Sequence, residues 1–132
     1  TPSSTTLAVQ ILTQAENSDS LSRQNLIASD ATQLQQIYQY ANTGGMPEVD
    51  FDNSTVIGVF MGPQPTGGYS ISISQVVERS GSVEVTVELH VVDPGCIVTT
   101  WFTSPYQVVT IPKVSNKPIT FIEEIFIDEC HY

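Results

Sequence analysis

Positive charge is scarce in this sequence. It has four Lys and Arg residues against fourteen Asp and Glu residues, which gives a formal net charge of −10. The basic residues are scattered along the chain, at Arg23, Arg79, Lys113 and Lys117. Proteins bind nucleic acids and anionic membrane surfaces largely through clustered Lys and Arg. We therefore expect neither nucleic acid nor an anionic membrane surface as a partner.

Long apolar runs are also missing. No stretch approaches the roughly 18 apolar residues that a membrane-spanning helix needs, so we expect no transmembrane segment. Residues 1–6 are rich in Ser and Thr and lack an apolar signal core, and we interpret them as a flexible leader before a single domain, residues 7–132. Such a leader fits between a removed export signal or a lipid-anchored terminus and a folded domain. The alternative is that it marks only the point where the chain was trimmed.

Cysteine occurs at two positions, Cys96 and Cys130, without the spacing or number that a structural zinc site needs. One disulfide between them would close about 35 residues and stabilise the fold by roughly 3–4 kcal/mol in the chain-entropy model. Two buried free thiols of a cytosolic protein are the alternative. We favour the disulfide, since the low Lys content and the Ser/Thr-rich start suit an exported protein of the bacterial periplasm or cell envelope.

Catalytic and metal-binding motifs are absent or incomplete. No GxSxG elbow, phosphate-binding loop or dinucleotide fingerprint occurs, and neither histidine has a context that marks it as a base. Cys96 with His131 could form a nucleophile and base, but a disulfide explains Cys96 more simply. Glu88 and His90, with Asp93, are fewer ligands than a closed metal site needs. We therefore expect no enzyme activity, no metal and no cofactor.

Alternating apolar residues dominate the chain from residue 56 onward. The pattern is strictest between Val83 and Val91, where apolar side chains recur at every second position, as in a strand with one buried face. Further strand patterns cover residues 97–103, 106–111 and 119–127, with Gly/Pro turns between them. Ser29 or Asp30 can cap a helix, and Gln33 stands three residues after Asp30 as in a capping box, so the sequence predicts one helix near residues 30–42. The fold class is therefore mainly β: an antiparallel β-sandwich or partly open barrel of about eight strands with one short helix.

Two loops differ from the acidic remainder of the chain because they combine proline, glycine and tyrosine with little charge. Proline lowers the entropic cost of ordering a contact, and tyrosine offers a large contact area, so such loops suit protein recognition. The paired glycines suit positive φ values. The alternative is that the two tyrosines plug the ends of the sandwich. The candidate binding residues are Pro65, Thr66, Gly67, Gly68, Tyr69, Ser104, Pro105 and Tyr106.

Several short motifs, in order, resemble the C-terminal domain family of PrcB, a bacterial protease-complex subunit. The resemblance implies an exported, often lipoprotein-type domain that associates with a secreted protease and stabilises it, without promising protease activity. We therefore expect a protein partner, such as a secreted protease. The motifs are Met46–Phe51, Val56–Gly62, Pro65–Tyr69, Pro94–Cys96, Thr103–Val109 and Ile111–Lys113.

A second resemblance concerns the loop alone. The sequence Pro65–Tyr69 is similar to the proline-threonine-threonine-glycine-tyrosine loop of chagasin-type inhibitors of cysteine proteases. It differs in that Gly67 replaces a threonine, and no clear second or third inhibitory loop follows. This resemblance implies, as an alternative function, reversible protease inhibition through the loop of residues 62–69.

Overall fold

In the part of the chain that the structure describes, eight strands and one helix build the fold. The structure is a computed structural model, which describes residues 4–20, 22–41, 45–64, 68–93, 103–114 and 117–128. In chain order the elements are β1 (Thr5–Leu7), β2 (Gln10–Ala15), β3 (Gln24–Ala28), α1 (Ala31–Tyr38), β4 (Ser54–Phe60), β5 (Ser70–Glu78), β6 (Val83–Val92), β7 (Tyr106–Pro112) and β8 (Ile119–Asp128).

The strands form two sheets of four, which confirms the predicted sandwich. The first sheet has the order β1-β5-β6-β8 and the second has the order β2-β7-β4-β3. Their strand pairs are antiparallel except β6 with β8, which runs parallel from Val83 beside Ile119 to Val92 beside Asp128. The β5–β6 pair turns at Ser80 and Gly81, as the sequence indicates.

The main core lies between the two sheets. The alternating residues of β6 point into it, and Val83, Val85, Val87 and Leu89 are all buried. They meet inward residues of the second sheet, among them Ile57 and Val109. Burial of this apolar surface is the principal favourable term for folding. The strict alternation in the sequence therefore reflects one face of a sheet packed against a second sheet.

Helix α1 adds a third layer on the outer face of the second sheet. Its buried residues, Leu34 and Ile37, form a second core with Val56, Phe60 and Tyr106. Consequently β4 is buried on both faces, with every residue from Thr55 to Phe60 buried. A strand covered on both sides has a continuous apolar sequence in place of an alternating one.

Asp30, one of the two residues that the sequence offers as a helix cap, begins the helix. Its side chain accepts a hydrogen bond from the amide of Gln33 at 2.8 Å, and the Gln33 side chain accepts one from the amide of Ser29 at 2.6 Å. The first bond satisfies one of the backbone donors that a helix start leaves without partners, and the second ties the residue before the cap to the first turn. The helix ends at Tyr38, inside the range that the sequence predicts.

We predict that Asp30→Ala lowers the free energy of unfolding by about 1 kcal/mol, because the N-cap bond is lost. Asp30→Asn is the matched control, since its amide oxygen can accept the same bond. Urea unfolding of both variants measures the difference. Equal stability of the two variants would contradict a role for the Asp30 side chain as a cap.

The start of the chain departs from the sequence prediction. Thr5 and Thr6, which we assigned to the flexible leader, pair with Glu78 and Val77 in β1. Threonine is β-branched and suits a strand.

The predicted strand at residues 97–103 and both cysteines lie outside the described residues, apart from Thr103. Among the residues described, no helix is long and apolar enough to cross a membrane.

Candidate functional site

The two predicted loops are bonded to each other. The backbone amide of Gln64 donates to the carbonyl of Thr103 at 2.7 Å, and the amide of Thr103 donates back to the carbonyl of Gln64 at 3.0 Å. These two bonds form an isolated antiparallel bridge. The structure therefore brings together the loop of residues 62–69 and the segment Thr103–Pro105, which the sequence treats as separate features.

A third segment, Glu16–Ser20, joins them through Ser104. The Ser104 amide donates to the Glu16 carbonyl at 2.6 Å, and the Ser18 amide donates to the Ser104 carbonyl at 2.8 Å. The hydroxyl groups of Ser18 and Ser104 also lie 2.7 Å apart. The sequence shows this segment only as a polar break between two strands. Its Ser and Asn content is typical of a turn and carries no signal for a partner far along the chain.

Met61 and Gly62, where the loop begins, lie against two other stretches of backbone. The Met61 amide donates to the Pro105 carbonyl at 2.9 Å. Gly62 has φ +81°, and a Cβ there would lie 2.8 Å from the backbone nitrogen of Arg23. The start of the loop is thus fixed between two stretches of backbone. We call the three joined segments, Glu16–Ser20, Met61–Gln64 and Thr103–Pro105, the rim.

An open groove of about 310 Å³ lies beside the rim. One wall is the end of β2, an edge strand of the second sheet, and the other is the start of β5. β1 pairs with β5 only at residues 76–78, so it does not cover the start of β5. The groove therefore lies along a gap between the two sheets. The residues lining it are Gln14, Ala15, Glu16, Tyr69, Ser70, Ile71, Ser72, Pro105 and Tyr106.

Gln107 bridges the two sheets near this groove. Its side-chain oxygen accepts a hydrogen bond from the Ile73 amide at 2.8 Å, and its side-chain nitrogen donates to the Gln14 side chain at 2.9 Å. Gln107 is buried, at 3 % exposure. The sequence gives no signal for this role, because Gln107 lies in a strand whose other residues are largely apolar.

We predict that Gln107→Leu lowers the free energy of unfolding by about 1–3 kcal/mol, because the buried Ile73 amide loses its partner. Gln14→Leu is the control: it removes one of the two bonds and leaves the Ile73 amide satisfied. Thermal and urea unfolding measure both. If Gln14→Leu lowers the free energy of unfolding as much as Gln107→Leu does, the lost bond to the Ile73 amide does not cause the effect of Gln107→Leu.

Tyr69 lies at the mouth of the groove. Its side chain is partly buried and packs against the core between the sheets, while it also lines the groove. Gly68 before it has φ +92°, which confirms the positive φ expected for a glycine of this loop. Pro65, Thr66 and Gly67 lie outside the described residues.

Tyr106 lies mainly in the core. It is 2 % exposed, and its ring stacks on Phe60 with centroids 5.6 Å apart and the planes at 12°. Burial chiefly, and then the nearby Tyr106, raise the pKa of the Tyr38 phenol above its usual value. Ser104 and Pro105 are buried as well. The second predicted segment therefore supports the rim through its backbone, and its tyrosine belongs to the layer under the helix.

The candidate metal ligands do not converge in the part of the chain that the structure describes. The side chains of Glu88 and His90 approach to 3.4 Å, and the His90 ring stacks on Phe126 with centroids 5.2 Å apart. Within the described ranges, no group of three or more His, Cys, Asp or Glu could hold a metal ion.

These features define a β-sandwich domain with a hydrogen-bonded rim beside an open groove. Residues 55–112 match the family model described as PrcB C-terminal, which confirms the resemblance that the sequence motifs indicate. The match spans β4 to β7 and includes the loop of residues 62–69 and Ser104–Tyr106. The family match suggests a domain associated with a protease complex. No curated protein and no solved structure matches the chain.

Proposed function

We propose that this chain is a non-enzymatic, exported protein-binding domain. It acts as an accessory or stabilising subunit of a secreted protease or another envelope protein. The observation that carries the proposal is the family match over residues 55–112. The domain contacts its partner with the loop of residues 62–69 and the groove beside Tyr69.

The geometry of the rim supports this use of the loop. Backbone bonds from Gln64, Met61 and Ser104 fix the rim at several points before any partner arrives. A preordered surface loses less conformational entropy on binding than a flexible one does. Tyr69 is only partly buried, so part of its ring is available as an anchor. Partly exposed aromatic residues in pockets are frequent energetic centres of protein interfaces.

The chain composition supports an exported location. An exported location in turn favours a disulfide between Cys96 and Cys130. Parallel pairing places Val92 beside Asp128, so β6 and β8 end together. Cys96 and Cys130 follow these two strand ends within a few residues in sequence. We expect mass spectrometry of the non-reduced, periplasm-derived protein to show the crosslinked peptide. Two freely alkylated thiols would contradict both the disulfide and the exported location.

A site-specific photocrosslink tests the proposed function. A benzoylphenylalanine at position 69, in the full chain expressed in its native host, should crosslink to a secreted protease or another envelope protein. The matched control carries the same group at Ser80, which is exposed in the turn at the opposite end of β5. Crosslinks identified by mass spectrometry from position 69 alone support the proposal. The same products from both positions would overturn it.

Titration against papain separates accessory binding from inhibition. With a small fluorogenic substrate, a purely accessory domain leaves papain activity unchanged at equimolar and tenfold excess. Tyr69→Ala serves as the comparison, because it removes the side chain at the groove. Stoichiometric inhibition that Tyr69→Ala abolishes would replace the accessory role with the inhibitory one.

A further inference from the structure

The last strand, β8, forms an edge of the first sheet. It is ten residues long and pairs with β6 along its whole length. On its other side, no strand of the described residues pairs with it. An edge strand presents a row of backbone donors and acceptors that can pair with another chain. β8 is therefore long enough to accept a complete additional strand.

The side chains of β8 are unusually apolar for an exposed edge. Ile125 and Ile127 are 62 % and 66 % exposed, and Ile122 and Phe126 are each 39 % exposed. Register with β6 places Ile125 and Ile127 on the face that carries Leu89 and the main core. Ile122 and Phe126 lie on the opposite face, since successive side chains alternate. An added strand would thus find apolar contacts on both faces.

The charge beside these residues is negative. Glu123 pairs with Arg23 at 2.9 Å, whereas Glu124 is exposed and has no ion pair with any described residue. Two of the other three basic residues are paired elsewhere, Arg79 with Glu84 and Lys117 with Glu78. Charged residues on an edge strand normally discourage strand addition by like chains.

We propose that the edge of β8 that no described strand covers binds an extended, basic, amphipathic segment of a partner protein by strand addition. Lysine or arginine side chains of that segment lie on the outer face beside Glu124, and its apolar side chains lie on the core face beside Ile125 and Ile127. A second copy of this chain is the poorer occupant. It would bring the same glutamates and another charge of −10 to the interface. This surface is separate from the groove at Tyr69 and does not depend on the role proposed for it.

Short synthetic peptides test the proposal. The probe is a ten-residue peptide in which valine alternates with lysine, and calorimetry at low salt measures its binding to the full chain. A second peptide has the same side chains but carries methyl groups on four consecutive central backbone nitrogens, which removes the donors that strand pairing needs. A third replaces lysine with glutamate. We expect the first peptide to bind at least tenfold more tightly than either of the others.

Substitutions on the protein locate the binding. Ile125→Ser and Glu124→Lys should each weaken binding of the valine-lysine peptide at least fivefold. The control is Ile11→Ser, on β2 at the edge of the other sheet, where Ile11 is 51 % exposed. It should leave the affinity unchanged. Equal binding of the methylated peptide, or an equal loss in Ile11→Ser, would overturn strand addition at β8.

Two measurements on the free protein exclude the other occupants. Sedimentation should show a monomer, because a dimer that Ile125→Ser dissociates would mean that a second copy fills the edge. Hydrogen exchange should show that alternate amides of β8 exchange quickly. Protection of all β8 amides to the level of β6 would mean that the chain covers its own edge. Either result would overturn the proposal.

Discussion

Tyr106→Ala is expected to lower the free energy of unfolding by about 3–5 kcal/mol, the usual cost of removing a buried aromatic side chain. Tyr106 is directly opposite Phe60 in the β4–β7 pair, and their rings stack. Phe60 in turn contacts Tyr40 edge-to-face at 5.8 Å. Removing the Tyr106 ring would leave a cavity in the core under helix α1 and break its stack with Phe60. Urea unfolding measures the loss.

Tyr106→Phe is the matched control for this prediction. It keeps the ring and removes a hydroxyl that lies 3.5 Å from the Thr13 hydroxyl, at the long limit of a hydrogen bond. We expect a change of less than about 1 kcal/mol. If Tyr106→Ala loses no more stability than Tyr106→Phe while partner binding falls, Tyr106 would be a binding residue and would not be a core residue.

The alternation of apolar residues was sufficient to predict most of the sandwich. In β6 each alternate residue from Val83 to Leu89 is buried, as a strand with one face on a core requires. The helix start was equally accessible, because the cap is a local interaction between Asp30 and Gln33. Both signals depend on residues close together in sequence.

The third layer could not be predicted in the same way. The run from Val56 to Phe60 is apolar at every position except Gly58, which indicates burial on both faces but not what covers the second face. Gly58, which has no side chain, leaves room for the helix to approach the strand. A Cβ there would lie 2.8 Å from the Ile37 side chain, so the helix packs directly on the strand backbone. Such a close approach is visible only in three dimensions.

Only part of the candidate site could be predicted from the sequence, because most of its contacts join residues that are far apart in the chain. Its loops were recognisable from proline, glycine and tyrosine, and Gly68 has the positive φ that this composition favours. The contacts that fix the loops are long-range, such as Ser104 with Glu16 and Ser18. Polar turn residues and buried glutamines resemble ordinary surface positions in a sequence, so neither the segment Glu16–Ser20 nor Gln107 was identified.

Gly62→Ala is expected to destabilise the fold by about 2–5 kcal/mol. Gly62 has φ +81°, and a side chain in this region costs roughly 1–2 kcal/mol. The new Cβ would also lie 2.8 Å from backbone atoms of both Arg23 and Ser22. A backbone atom, unlike the end of a side chain, cannot rotate away from the new Cβ. Either the segment at Gly62 or the segment at Ser22 and Arg23 must therefore shift, at a further cost of about 1–3 kcal/mol. Urea unfolding measures the sum.

Gly81→Ala is the matched control, because nothing lies within 4 Å of a Cβ at that turn. It should change stability by no more than about 0.5 kcal/mol. The shift forced by Gly62→Ala acts on the rim, since Met61 bonds to Pro105 and Gln64 bonds to Thr103. The photocrosslink from position 69 should therefore weaken in folded Gly62→Ala protein and persist in Gly81→Ala. If Gly62→Ala proves as stable as Gly81→Ala, the close approach of the two backbones at this point is wrong, and so is the rigidity that the rim owes to it.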